Sequence, residues 1–208
     1  MPTPEFLLDG PDDAPLTVLL AHGAGAAMDS PFMEAFASGL AGRGYRVARF
    51  EFPYMAERRK SGRKPPPNTA RVLLDSWAAA IDALGDPGKL VIGGKSLGGR
   101  TASLVADGAG VRGLVCLGYP FQAPGRAPDP ARTQHLASLV TPTLILQGTR
   151  DPFGGAEQVA GFDLAPAVGV YWLEDGDHGF KPRKSSGRTE QQNWDQGIDA
   201  IAGFLAGL

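Results

Sequence analysis

The sequence predicts an α/β fold, a mainly parallel twisted sheet with helices on both faces. Two observations carry that expectation. Short apolar runs alternate with longer stretches whose apolar residues recur at helical spacing, from one end of the chain to the other. The short runs are near-continuously apolar, as parallel strands are when both faces are covered. Successive parallel strands then need helical crossovers of right-handed sense, and ligands sit beyond the carboxyl ends of the strands.

The elements follow in order. Residues 16–21 read as a buried strand, and 32–40 as a helix that Gly42 and Gly44 terminate. Residues 45–52 form the next strand, stopped by Pro53. The basic, proline-rich stretch 55–68 is expected to be irregular. Asn68 or Thr69 can cap the helix after it, where Val72, Leu73, Trp77, Ala80, Ile81 and Leu84 share one stripe. Residues 90–93 are a short strand leading into a glycine-rich turn, and 101–106 continue a helix beyond that turn. Strands are expected at 113–117, at 143–147 after Pro142, and at 170–173. A closing helix carries Trp194, Ile198, Ile201, Phe204 and Leu205 on one side.

Length and composition fit one domain, 1–208, with an ordinary core: 43% of residues are hydrophobic and 8% aromatic. The 29 glycines and 18 prolines fall in turn-like places and form no repeat. Residues 1–15 are acidic, hold four prolines, and lack the basic start and apolar run of a secretion signal. No run approaches the ~20 apolar residues of a membrane span. The single cysteine, Cys116, excludes an internal disulfide and sits in an apolar run, where a thiol is inert core. A soluble, cytoplasmic protein is the expectation. No clustered His/Cys set implies a metal, and no cofactor is expected.

The chemistry concentrates at the ends of the expected strands. Gly94-Lys95-Ser96-Leu97-Gly98 joins the strand 90–93 to a helix. A serine hydroxyl is a weak nucleophile unless a base takes its proton and donors receive the oxyanion that forms. A sharp Gly-x-Ser-x-Gly turn projects the hydroxyl from the sheet, with glycines where a Cβ would strike adjoining backbone. The pattern arises by accident in glycine-rich chains, and its strand-to-helix setting is what distinguishes it here. Ala21-His22-Gly23-Ala24-Gly25 ends the first strand, and its loop can offer a backbone N–H to an oxyanion. Ala24 is the first choice for that donor and Gly25 the second, with the N–H of Leu97 as the other. His22 reads as a structural histidine that hydrogen-bonds its own loop.

Asp151 falls just past the strand 143–147, where a carboxylate can orient an imidazole. Asp175 and Asp177 are its rivals, though both stand so near His178 that pairing is harder to arrange. His178 follows the strand 170–173 in a loop without periodicity. His135, with nothing acidic near it in sequence, reads as incidental. Ser96, Asp151 and His178 thus fall in the order nucleophile, acid, base.

These motifs resemble the α/β-hydrolase superfamily over nearly the whole chain, in particular its small, cap-less, dienelactone-hydrolase-like members. The run 93–100 and the stretch His178-Gly179-Phe180-Lys181-Pro182-Arg183-Lys184-Ser185-Ser186-Gly187-Arg188-Thr189 are more specific. They resemble a branch that includes a subunit of the non-specific-lethal histone acetyltransferase complex, a testis-expressed protein and bacterial hydrolases. The resemblance implies a serine hydrolase, a carboxylic ester hydrolase above all, acting on a small-molecule ester or acyl substrate. Some members of that branch are not known to act as enzymes, so a non-catalytic protein-interaction module on the same scaffold is the alternative. Lys95, before the nucleophile, departs from better-studied relatives, where His, Tyr or Glu is common.

The connection from Tyr119 to Thr141 is 23 residues, too short for a cap domain. An open, shallow pocket is therefore expected, lined by Met28, Lys95, Tyr119, Phe121, Phe153 and Phe180. Net charge is −2, yet residues 55–67 and 179–189 each carry a local excess of four positive charges. Both leave the carboxyl edge of the sheet, where they would draw anionic ligands by long-range attraction. The plainer reading is that they pair with surface acids. The acidic overall balance and the absence of a reading motif argue against a nucleic-acid partner. Composition does not fix the oligomeric state.

Overall fold

Strand residues that alternate between two apolar faces need cover on both, and a computed structural model, describing residues 3–208, provides it. In chain order the strands are β1 (Phe6–Asp9), β2 (Thr17–Ala21), β3 (Arg46–Phe50), β4 (Leu90–Lys95), β5 (Gly113–Leu117), β6 (Thr143–Gly148) and β7 (Val168–Leu173). The helices are α1 (Pro31–Ala41), α2 (Pro53–Ser61), α3 (Ala70–Leu84), α4 (Leu97–Ser103), α5 (Ala106–Ala109), α6 (Pro130–Thr133), α7 (Ala156–Val159) and α8 (Glu190–Ala206). The strands form one seven-stranded sheet in the order β1-β3-β2-β4-β5-β6-β7. Only β1 is antiparallel to its neighbour.

The two-residue period of the strands divides the core into two layers. Val18, Leu20, Val91, Val115 and Leu117 face α1 and α8, meeting Phe36, Leu40, Ile198 and Ile201. Leu19, Ala21, Ile92, Leu114 and Cys116 face the other way and meet Trp77, Ala80 and Ala102 of α3 and α4. Trp77 also donates Nε1–H to Thr101 Oγ1 at 2.9 Å, which gives its buried polar atom a partner and ties α3 to α4. Cys116 is fully buried, as expected of a core thiol. No helix among the described residues is long and apolar enough to cross a membrane.

Two expectations need correction, and one strand was not expected. The stretch 55–68 is not wholly irregular, because Pro53–Ser61 is helical. Pro53 stands at the first helical turn, where its fixed φ and missing N–H suit a helix start, and Gly62 (φ 69°) closes the far end. The helix beyond the serine turn breaks at Leu104 into α4 and α5, with Ser103 Oγ bonded back to the Arg100 carbonyl. The N-terminal segment contributes β1, an edge strand whose Leu8 is 52% exposed. The connection between β5 and β6 carries only α6 and one turn of 3₁₀ helix, so no cap covers the carboxyl edge.

Candidate active site

Parallel strands deliver their carboxyl ends to one edge, and five of them bring the residues of interest there. β2 leads to His22–Ala24, β4 to Ser96, β5 to Gly118, β6 to Asp151 and β7 to His178. Ser96 is the cap of α4 and holds φ 50° and ψ −108°, a backbone conformation that costs a non-glycine residue on the order of 1–3 kcal/mol. The turn is held by Ser96 N–H donating to the Leu117 carbonyl at 3.0 Å and by Arg100 N–H donating to the Ser96 carbonyl at 2.9 Å. Gly98 packs so tightly on the Ala21 and His22 carbonyls that any Cβ would collide with them. Three non-glycine residues have positive φ among those described, namely Ser96, Asp175 and Phe180, and all three lie at this edge.

Asp151 and His178 are brought together. His178 Nδ1 lies 2.8 Å from Asp151 Oδ2, with the carboxylate fully buried and the imidazole 23% exposed. Gln147 Nε2 donates to the same Oδ2 at 2.9 Å, and Phe153 N–H donates to Oδ1 at 2.8 Å. A carboxylate accepts and does not donate, so Nδ1 carries the proton and Nε2 presents a lone pair. The ring of Phe153 lies against the imidazole, centroids 4.3 Å apart. Gly118, which follows the Leu117 that holds Ser96, abuts the His178 ring. Among the described residues the Ser96 hydroxyl makes no hydrogen bond.

The rival acids are occupied. Arg183 and Arg150 both pair with Asp175 and hold its carboxyl down to about 2. Asp177 Oδ1 accepts N–H bonds from Gly179 (2.8 Å) and Lys181 (3.0 Å), which shapes the histidine loop.

His22 is fully buried, and both its nitrogens serve the backbone. Phe52 N–H donates to Nε2 at 3.1 Å, so Nδ1 carries the proton and donates to the Gly23 carbonyl at 2.7 Å. Burial pushes its pKa below the ordinary 6.5. The Tyr54 hydroxyl donates toward the Gly23 and Ala24 carbonyls, at 3.3 and 3.2 Å, and Arg58 Nη1 donates to the Gly25 carbonyl at 3.2 Å. The peptide bonds are trans, so the Ala24 N–H points away from the groups that hold the Gly23 carbonyl. Leu97 opens α4, so its N–H has no partner within the helix. His135 Nε2 lies 2.8 Å from Ser103 Oγ, on the α4 side of the sheet.

The expected pocket lining is where sequence and structure part. Tyr119, Phe121 and Phe180 are fully buried and Met28 nearly so, which removes them from an open surface. Tyr119 donates its hydroxyl to the Arg132 carbonyl at 2.7 Å, and Phe121 stacks on Phe162 with centroids 5.5 Å apart. They are the internal packing of the short β5–β6 connection. Lys95 runs under the histidine loop instead of facing outward. Phe153 is partly exposed, with its ring against the His178 imidazole. A cleft of about 260 Å³ does adjoin the Ala24 loop, lined by Gly25–Ala27, Asp29, Met55, Arg58 and Arg59. Gln147 was not singled out from the sequence. It is fully buried, grips Asp151 and exchanges hydrogen bonds with Tyr119 N–H and carbonyl. Its only signal was an amide closing an otherwise apolar strand four residues before the acid.

The profile of the alpha/beta hydrolase domain family matches residues 14–206. The chain belongs to that family. Solved structures agree on the fold. An alpha-beta serine hydrolase homologue from Coxiella burnetii is 18% identical with a TM-score of 0.70, covering 94% of this chain and 90% of its own. Dienelactone hydrolase from Anabaena variabilis is 22% identical with a TM-score of 0.69, covering 97% and 88%. A serine hydrolase without lid from Xanthomonas campestris is 18% identical with a TM-score of 0.64, covering 94% and 88%. The uncovered carboxyl edge of this alpha/beta hydrolase agrees with the last of these, which is described as without lid.

Proposed function

We propose that the chain is a serine hydrolase that cleaves a small ester or acyl substrate, carboxylesterase- or thioesterase-like, through an acyl-enzyme. The observation that carries the reading is the 2.8 Å contact between His178 Nδ1 and buried Asp151 beside a strained serine turn. In this reading Ser96 Oγ attacks the substrate carbonyl as its proton passes to His178 Nε2. The N–H groups of Ala24 and Leu97 receive the oxyanion. Collapse expels the alcohol or thiol, which takes the proton from Nε2. Water then attacks the acyl-enzyme by the same route and restores Ser96. Asp151 stays a carboxylate throughout and keeps the imidazole in the required tautomer.

A preference for anionic substrates has narrower support than the two basic segments imply. Arg59 is committed to Asp29 and Glu51, and Arg183 to Asp175. Lys60, Arg63, Lys64, Lys181 and Lys184 are exposed and form no ion pair among the described residues, so they remain to attract an anion. kcat/KM for a charged and a neutral ester, each at low and high salt, tests this. A steeper salt response for the anionic ester is expected, and equal responses remove the preference.

The hydrolase reading is tested with a fluorophosphonate probe on intact protein and a Ser96→Ala control. Labelling lost in the variant is expected. Folded protein that takes no label would favour the protein-interaction module, and labelling that survives Ser96→Ala would move the nucleophile to another serine.

A further inference from the structure

Successive residues of a strand point to opposite faces, so the lysine before Ser96 is sent away from the hydroxyl. Lys95 Nζ passes beneath the histidine loop and donates to the main-chain carbonyl of His178. It lies 5.1 Å from the centre of the Phe32 ring and 5.4 Å from that of Phe180, and aromatic faces attract a cation. The recess exists because Gly118 has φ 66° and no side chain. A Cβ there would stand 2.6 Å from Lys95 Nζ and 3.3 Å from His178 Nδ1. The ammonium and the imidazole therefore share the space that one glycine leaves open.

The charged groups around that recess can be named element by element. The loop after β6 supplies Asp151, bonded to Nδ1. The histidine loop supplies Asp177, whose Oδ1 is turned to the N–H groups of Gly179 and Lys181. The Ser30–Pro31 end of α1 and the residue after Gly179 contribute only the rings of Phe32 and Phe180. Arg150 and Arg183 are engaged with Asp175. Lys95 is thus the cation that faces His178.

We infer that Lys95 is a positioning residue that pins the His178 loop by its carbonyl and, through its charge, keeps the resting imidazole neutral and ready to accept a proton. The inference takes its catalytic meaning from the hydrolase reading. Its physical basis is the balance of two neighbours. Asp151 favours a protonated imidazole, and a cation on the same side of the ring opposes that protonation. Without Lys95 the buried carboxylate would act alone and the base would fill with a proton at higher pH. Burial brings Lys95 itself down to about 8, so its charge is present through the range where an imidazole titrates.

The test follows the imidazole titration of His178 by NMR in the full chain, comparing the native protein, Lys95→Met and Lys95→Arg. Lys95→Met is expected to raise the His178 midpoint by about one pH unit, the tenfold effect of removing a charge roughly 6 Å away in a partly exposed site. Lys95→Arg keeps the charge and should leave the midpoint near the native value. The acid limb of kcat/KM should move with it in Lys95→Met. A folded Lys95→Met protein with an unmoved His178 midpoint overturns the inference. Should neither variant fold, native protein with labelled lysine side chains decides. His178 resonances must show a second inflection where Lys95 titrates, and its absence overturns the inference equally. A shifted midpoint in protein that fluorophosphonate does not label would keep the electrostatic coupling and discard the hydrolase reading.

Discussion

Two loops at the carboxyl edge of the sheet each hold a histidine, and their chemistry differs because of what the second ring nitrogen does. In the loop after β2, His22 is sealed from water and spends Nδ1 on the Gly23 carbonyl and Nε2 on Phe52 N–H. In the loop after β7, His178 spends Nδ1 on Asp151, and Nε2 is left with a lone pair. The first imidazole is a strut that fixes a peptide plane. The second has a nitrogen free to act as the base of the proposed reaction. Residue type, position after a strand and the adjacent glycine are alike in both. Burial and the nature of the partner separate them.

Substitutions at the acid and the two histidines are the sharpest way to break that comparison. Asp151→Asn should cut kcat by about 10⁴ while leaving Tm near native, because the amide no longer holds the required imidazole tautomer. His178→Ala should lose activity on that scale or beyond, with a small change in stability, since the ring is partly exposed. His22→Ala should reverse the pattern. It strands the buried Phe52 N–H and opens a cavity, for a loss of about 2–4 kcal/mol in denaturant unfolding. Equal stability losses for the two histidine variants would erase the distinction.

The serine turn after β4 lies between the loops and gives the next largest effect. Gly98→Ala should cost at least about 1–3 kcal/mol, because the new methyl meets the Ala21 and His22 carbonyls and the backbone must shift. Leu97 N–H and the His22–Ala24 loop would be displaced together. Reduced fluorophosphonate labelling at matched folded fraction is the expected companion result.

What could be read in the sequence follows the same physics. β2, β4, β5 and β6 are covered on both faces, so their apolar runs stand out against any background. β1 does not, because an edge strand is half solvent-facing and Leu7 and Leu8 sit among prolines and acids. The beginning of α2 was hidden for a different reason. Proline ends a strand and begins a helix with equal ease, and Pro53 does both. The places of Ser96, Asp151 and His178 at the carboxyl edge were legible because each follows a strand of the sheet. The packing roles of Tyr119, Phe121 and Phe180 were not, since an aromatic after a strand end can face a pocket or fill the connection. Gln147 and Lys95 were the least visible. What ties them to the site is contact with Asp151 and the His178 carbonyl, which no spacing along the chain reveals.

Acid should separate the histidines again, through stability. Burial lowers the folded pKa of His22 from 6.5, so the unfolded chain binds the proton first. The stability this histidine carries is complete above about pH 6.5 and is lost as pH falls toward its lowered folded value. His135 is lowered in the same sense, also by burial. Urea midpoints measured between pH 7.5 and 5 should fall with a slope of up to about 1.4 kcal/mol per pH unit for each histidine. His22→Gln should flatten that slope by one histidine's share.

The smallest effect is expected where the two basic segments meet their acids. Arg59 forms two-point contacts with both Asp29 and Glu51; its side chain is 47% exposed and that of Asp29 49%, while Glu51 is 6% exposed. Water and salt screen the exposed Asp29 contact, but removing Arg59 also leaves buried Glu51 with Met28 N–H beside it. Arg59→Ala should therefore cost about 1 kcal/mol, of which the Asp29 share is lost at high ionic strength. Arg183 also holds a carboxylate that is 6% exposed, as Glu51 is, but Asp175 forms the strained turn before His178. Its removal leaves Arg150 on that carboxylate, so stability should change little more than in Arg59→Ala. Labelling of Ser96 should fall further in Arg183→Ala than in Arg59→Ala, because the loosened turn is the one that carries the base. Equal labelling in the two variants would place Asp175 among the ordinary surface pairs.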